Sequence, residues 1–170
     1  VLDFSPQSVQ THGQTPTPRA EGLAIPVGEN IYYIGGRAKG NVSLDNEKSC
    51  AVLHVFNTKS NTWSKIETTP PSGCCSEIYI HGTAIGDDIW MYDTGAWHCF
   101  STVQKKWLKL DLQSSESFAC SLHPHALGVI GESIFFYDSN HNSFDKKVYQ
   151  LNTLTKQFST CEEEGFGEHP

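Results

Sequence analysis

The sequence predicts an all-β chain of three repeated units, each a sheet of four short antiparallel strands, and three observations carry that expectation. A small-residue apolar strand, a tight glycine turn and an aromatic-rich strand recur at 22–36 (GLAIPVGENIYYIGG), 82–94 (GTAIGDDIWMYDT) and 126–139 (ALGVIGESIFFYDS). A second strand pair follows each of them: VLHVFNTKSNTW, AWHCFSTVQKKW and KVYQLNTLTKQF. In every copy an apolar residue (Phe56, Phe100 or Leu151) stands seven positions ahead of a closing aromatic (Trp63, Trp107 or Phe158).

The elements follow in order. The first turns are Val27-Gly28-Glu29-Asn30, Gly86-Asp87-Asp88 and Gly131-Glu132-Ser133, where glycine supplies the positive φ that a short hairpin demands. The second turns, at 57–61, 101–105 and 152–156, are polar and hold a threonine in every copy, which suits the link between two antiparallel strands. A four-stranded sheet is too thin to bury both faces alone, so neighbouring sheets must stack around an axis. The expected division is an N-terminal strand or linker over 1–20, repeats over 21–71 and 72–122, and a third repeat with its exit linker over 123–170. Prolines mark the crossings at Thr15-Pro16-Thr17-Pro18-Arg19, at Thr68-Thr69-Pro70-Pro71-Ser72 and near Pro170. The apolar Val1-Leu2-Asp3-Phe4 fits the outermost strand of another sheet or a strand that completes this set.

Ile31-Tyr32-Tyr33-Ile34-Gly35-Gly36, followed by Phe56 and Trp63, resembles the kelch repeat, whose unit carries a glycine pair after its second strand and then an aromatic ahead of a tryptophan. The later copies depart from that pattern: Asp93-Thr94 and Asp138-Ser139 stand for the glycines, and Phe158 for the last tryptophan. The resemblance spans roughly residues 20–160 and implies a kelch-type β-propeller of three blades. Closed propellers have about 4 to 8 blades, so three make half of a ring or a fragment of one. The missing blades would come from a longer chain, a second copy or a companion chain. Kelch resemblance also implies a surface that binds another protein, as in the substrate-recognition parts of ubiquitin-ligase adaptors or in cytoskeletal binders. No F-box or BTB adaptor domain is recognisable in these residues.

Composition excludes several classes. Hydrophobic residues at 38% and charged residues at 18% describe a folding, globular chain. No apolar run approaches the ~20 residues of a membrane helix. A net charge of -7 argues against a phosphate-tracking surface, so neither nucleic acid nor membrane is an expected partner. A cytoplasmic location is expected, with secretion left open by the sequon at Asn41. The cysteines Cys50, Cys74, Cys75, Cys99, Cys120 and Cys161 are irregularly spaced, and most are expected as buried thiols.

In propellers the loops vary and bind while strand residues pack. The longest insert, 37–50 (RAKGNVSLDNEKSC), is the leading contact candidate; its counterpart in the third repeat is 140–147, and in the second it shrinks to Gly95-Ala96. Expected contacts are Arg19, Arg37, Lys39, Lys48, Trp97, His123, His125 and His141, because arginine and aromatic groups dominate contact energy once buried against a partner. His123-Pro124-His125, and Cys74-Cys75 with His81 or His98-Cys99, have zinc-suited atoms but lack ligand spacing, so no metal is expected. No Gly-x-Ser-x-Gly and no phosphate-cradling glycine loop is present, and no catalytic residue or cofactor is expected. Neither the copper-radical ligands of propeller oxidases nor the iron-binding acids and histidine of glucosinolate specifier proteins carry over to matching positions. The alternative is a carbohydrate reader using Trp90, Trp97, Asp93 and Asp138, with exposed rings stacking on sugars.

Overall fold

The computed structural model describes residues 12–13, 15–16, 18–20, 22–38, 50–71, 74, 80–93, 96–114, 124–138 and 147–161, and among them the regular structure is all strand. In chain order β1 (His12–Gly13) and β2 (Arg19–Ala20) precede the first hairpin, β3 (Leu23–Val27) and β4 (Asn30–Ile34). After β5 (Arg37–Ala38) comes the second hairpin, β6 (Val52–Asn57) and β7 (Thr62–Glu67). The second set is β8 (His81–Ile85), β9 (Asp88–Asp93), β10 (Ala96–Ser101) and β11 (Lys106–Leu108). The third is β13 (Pro124–Ile130), β14 (Ser133–Asp138), β15 (Lys147–Asn152) and β16 (Gln157–Cys161), preceded by β12 (Gln113–Ser114).

Among the described residues three large sheets result, ordered β1-β7-β6-β4-β3, β11-β10-β9-β8 and β12-β16-β15-β14-β13, beside a two-stranded ribbon of β2 and β5. In each, four strands pair antiparallel in chain order, with β5 standing outside the first set. The short strands β1 and β12 pair parallel to the outer strands β7 and β16, one further strand on each of those sheets. Two residues carry no periodicity, which is why nothing in the sequence announces them.

The turns show why the repeats fold alike. Gly28, Gly86 and Gly131 have φ of 57°, 57° and 55°, and Asn61, Lys105 and Lys156 close each second hairpin at 54°, 53° and 60°. The threonine seen in every copy ties the two hairpins together. The hydroxyls of Thr58, Thr102 and Thr153 donate to the carbonyls of Glu29, Asp87 and Glu132 at 2.8, 2.7 and 2.8 Å. The three backbone amides bond the same oxygens at 2.9, 3.0 and 2.9 Å. Asn57 and Asn152 each accept two backbone N–H groups of their own turn, holding it rigid.

Core formation lies between sheets. Alternate residues of a strand face opposite sides, and the middle sheet uses both. Ile89, Met91 and Phe100 pack with Tyr32, Ile34, Leu53 and Val55 of the first sheet. From the opposite face, Trp90, Tyr92, Trp97 and Cys99 pack with Ile134, Phe136, Leu151 and Phe158 of the third. Trp97 meets Tyr92 at 5.4 Å and Phe136 at 5.5 Å between ring centroids. The first strands β3, β8 and β13 are adjacent in turn, so the sheets stack as consecutive blades of part of a propeller.

The outward faces of the first and third sheets repeat the chemistry of the buried ones. Register aligns Ile31 with Phe56 and Phe56 with Trp63, as Ile89, Phe100 and Trp107 align in the middle sheet, where they meet the first sheet. Ile31, Tyr33, Phe56 and Trp63 stay half-buried. At the other end Ile130 is 73% exposed, whereas Val27, which likewise precedes the hairpin glycine, is 8% exposed because the middle sheet covers it.

Cys99 is a buried thiol, Cys74 and Cys161 are half-buried thiols, and Cys50 is disulfide-bonded and so stands outside the thiols expected for most of the cysteines. Cys75 and Cys120 lie outside the described residues.

Candidate functional site

Antiparallel connectivity divides the ends of every sheet. Glycine turns and threonine-tied turns occupy one end; the connections between second and third strands, and the linkers between sheets, leave from the other. The loop end therefore gathers the residues that vary most between the three repeats.

Arg19 and Arg37 are brought together there. Strand β2 pairs antiparallel with β5, with Arg19 opposite Ala38 and Ala20 opposite Arg37. The Tyr33 hydroxyl donates to the Arg19 carbonyl at 3.3 Å, fastening this ribbon to β4. The root of insert 37–50 is thus pinned to the incoming linker. Lys39, Lys48, His123 and His141 lie outside the described residues.

Two expectations change. His125 belongs to strand β13 and not to a loop, beside a register shift between Pro124 and Ala126. Trp97 is no loop contact: it sits in β10 at 8% exposure, wedged between the second and third sheets. Its strand begins at Ala96, so the short Gly95-Ala96 connection hands it directly to the core alternation. Trp90 and Asp93, named for the sugar-reading alternative, are 2% and 0% exposed.

The glycine pair that carries the kelch resemblance has a packing role. Gly35 and Gly36 are buried at φ of 70° and 83°, and a Cβ on Gly35 would run into the Ile80 side chain at the entry to the middle sheet. Only a residue without a side chain allows both that backbone conformation and that approach.

Asp93 is fully buried at the loop end of β9. Burial, then the Asp93 charge, pushes the Cys74 thiol up to about 12. Burial likewise pushes Cys99 up to about 12, with Asp88 adding and Lys156 opposing. A thiol that stays protonated is a poor nucleophile, so these positions do not supply an activated cysteine. His98 is pushed below its ordinary value by burial, against the opposing pull of Asp93. Among the described residues no three His, Cys, Asp or Glu side chains converge as metal ligands.

Comparison with known proteins follows the same line. Residues 18–70 match the family profile described as Kelch motif. The chain is 28% identical over 109 residues to the N-(sulfonatooxy)prop-2-enimidothioate sulfolyase of Thlaspi arvense, covering 58% of this chain and 29% of that protein. It is 31% identical over 86 residues to the Rab9 effector protein with kelch motifs of Mus musculus, covering 44% of this chain and 22% of that protein. The Bos taurus protein of the same name is 30% identical over 89 residues, covering 46% of this chain and 23% of its own length. The chain spans less than a third of the length of each of these relatives.

Proposed function

Because this chain belongs to the kelch-repeat family, we propose that it is a protein-binding module that takes another protein at the loop end of its sheets. One observation carries the reading: the sheet order puts the roots of the unequal connections at one end, where β2 pairs with β5 and brings the Arg19 and Arg37 backbone together. Lys39, Lys48, His123 and His141 join the proposed surface from the sequence alone. Two relatives are named Rab9 effectors with kelch motifs, in line with a protein as the ligand.

The finer form of this proposal is a substrate-recognition part of a ubiquitin-ligase adaptor, with the adaptor domain supplied elsewhere. The outward faces of the first and third sheets are covered by further blades, from a longer chain, a second copy or a companion. The module works without catalysis or cofactor, in the cytoplasm, and away from nucleic acid and membrane. Among the described residues no helix is long and apolar enough to cross a membrane. The disulfide at Cys50 points the other way on compartment, since such bonds persist in oxidising surroundings; counting free thiols in the protein isolated from the cytoplasm tests that part separately.

The main test replaces residues 38–48 with a glycine-serine segment of equal length and reads cross-linked partners by mass spectrometry. Capture is lost in this variant and kept in Glu132→Gln at the opposite end. The reverse pattern would sink the reading, as would sulfolyase turnover by the unmodified chain. The carbohydrate alternative has no observation in its favour, because Trp90, Trp97 and Asp93 are buried. A glycan array gives signal only if that alternative holds.

A further inference from the structure

The outer edges of the three sheets are not finished alike. On the first sheet β1 adds to β7 with His12 opposite Thr62 and Gly13 opposite Trp63. On the third β12 adds to β16 with Gln113 opposite Gln157 and Ser114 opposite Phe158. In both, a small residue lies opposite the closing aromatic. In the first sheet even a Cβ at Gly13 would run into the Trp63 carbonyl; in the third a serine stands at the matching register. The middle sheet ends at β11, whose strand neighbour among the described residues is β10 alone.

Strand β11 repeats part of the backbone setting that holds β1. In the first sheet the His12 N–H donates to the carbonyl of Asn61 at 3.1 Å, and Asn61 holds φ of 54°. Lys105 stands at the same place before Trp107 with φ of 53°, so its carbonyl has the corresponding backbone setting. The incoming linker presents Pro70 and Pro71, which have no N–H to give to such an acceptor. The Trp107 indole N–H is buried and has no hydrogen-bond partner among the described residues.

Charge selects the occupant. In a chain of net charge -7, the stretch 105–109 (KKWLK) carries three lysines. Lys105, Lys106 and Lys109 are exposed, and the pairing of Lys109 with Asp111 joins side chains 88% and 82% exposed, which contributes little. Lysines along an edge strand repel a second copy of the same edge and attract an acidic one.

We propose that β11 is a docking edge for an extended acidic segment of a partner protein, which adds parallel to β11 with a glycine or serine opposite Trp107. The segment extends the middle sheet as β1 and β12 extend its neighbours, by main-chain hydrogen bonds, and lysine contacts set its charge preference. This surface lies on the outer rim, apart from the loop end, so its fate does not depend on the loop-end reading.

The probe is a capped nine-residue peptide of alternating glutamate and threonine with one central glycine. Binding is read by fluorescence polarisation, and hydrogen exchange of residues 105–109 is read by mass spectrometry. Saturating peptide slows exchange across 105–109 while residues 62–67 stay unchanged. Replacing the glycine with valine, or Lys105, Lys106 and Lys109 together with glutamate, weakens binding about tenfold or more. The lysine variant changes only exposed side chains, and unaltered exchange at 62–67 confirms its fold. The proposal is overturned if 105–109 is as protected without peptide as 62–67, which would mean the edge is already filled. It is equally overturned if protection rises with protein concentration alone, or if a lysine-threonine peptide binds as well.

Discussion

His98 stands at 6% exposure with its ring against the edge of Trp107 at 6.4 Å between centroids, and burial holds its pKa below the ordinary histidine value. A depressed folded-state value means that the unfolded chain takes up the proton first as pH falls. The stability that neutral His98 supports is therefore fully present above about pH 6.5 and declines below it, until the folded state titrates too. Urea midpoints measured at about pH 7.5 and about pH 5.5 should differ less in His98→Gln than in the unmodified chain; an equal drop in both would remove His98 as the cause. At Gly35, alanine meets both a left-handed backbone and the Ile80 side chain, and the variant should lose about 1–3 kcal/mol in the same assay. Thr153→Val removes one tie between hairpins while keeping the shape, with an expected loss of about 1 kcal/mol.

Among elements, the hairpins were legible because their turns have few chemical solutions: glycine at positions 28, 86 and 131, and a threonine in each polar turn. What that threonine does was not legible, since its acceptor lies in the other hairpin. Strands β1 and β12 escaped for a different reason: their pairing rests on the neighbouring sheet's edge and not on any pattern of their own. Trp97 shows the limit of reading exposure from proximity to a short loop. One residue decides whether a tryptophan begins a strand or ends a connection, and the alternation then sends it to the core. The consequence at this scale is energetic. Phe136 is 1% exposed and touches the rings of Tyr92, Trp97, Tyr149 and Phe158, so Phe136→Ala should cost about 3–5 kcal/mol. Val103, 71% exposed on its turn, should change stability by less than about 0.5 kcal/mol when made alanine. Thermal melts of the two variants side by side would expose an error in the sheet order.

For the whole molecule, the repeat in the sequence was enough to give three stacked sheets, because each carries one apolar stripe on either side and must find a neighbour. The binding surface was less legible: Arg19 and Arg37 come together through a ribbon of two residues a side, which no local pattern foretells. The same stacking logic leaves Ile31, Tyr33, Phe56 and Trp63 at one end and Ile130, Phe135, Tyr137 and Val148 at the other without the cover that their counterparts in the inner interfaces have. Light scattering across a dilution series, with a dye that reports apolar surface, tests this most directly. The predicted mass exceeds the 18.9 kDa of the single chain at high concentration and falls on dilution, with dye binding rising as the partner faces separate. A mass of 18.9 kDa at every concentration, with no dye bound, would contradict the account.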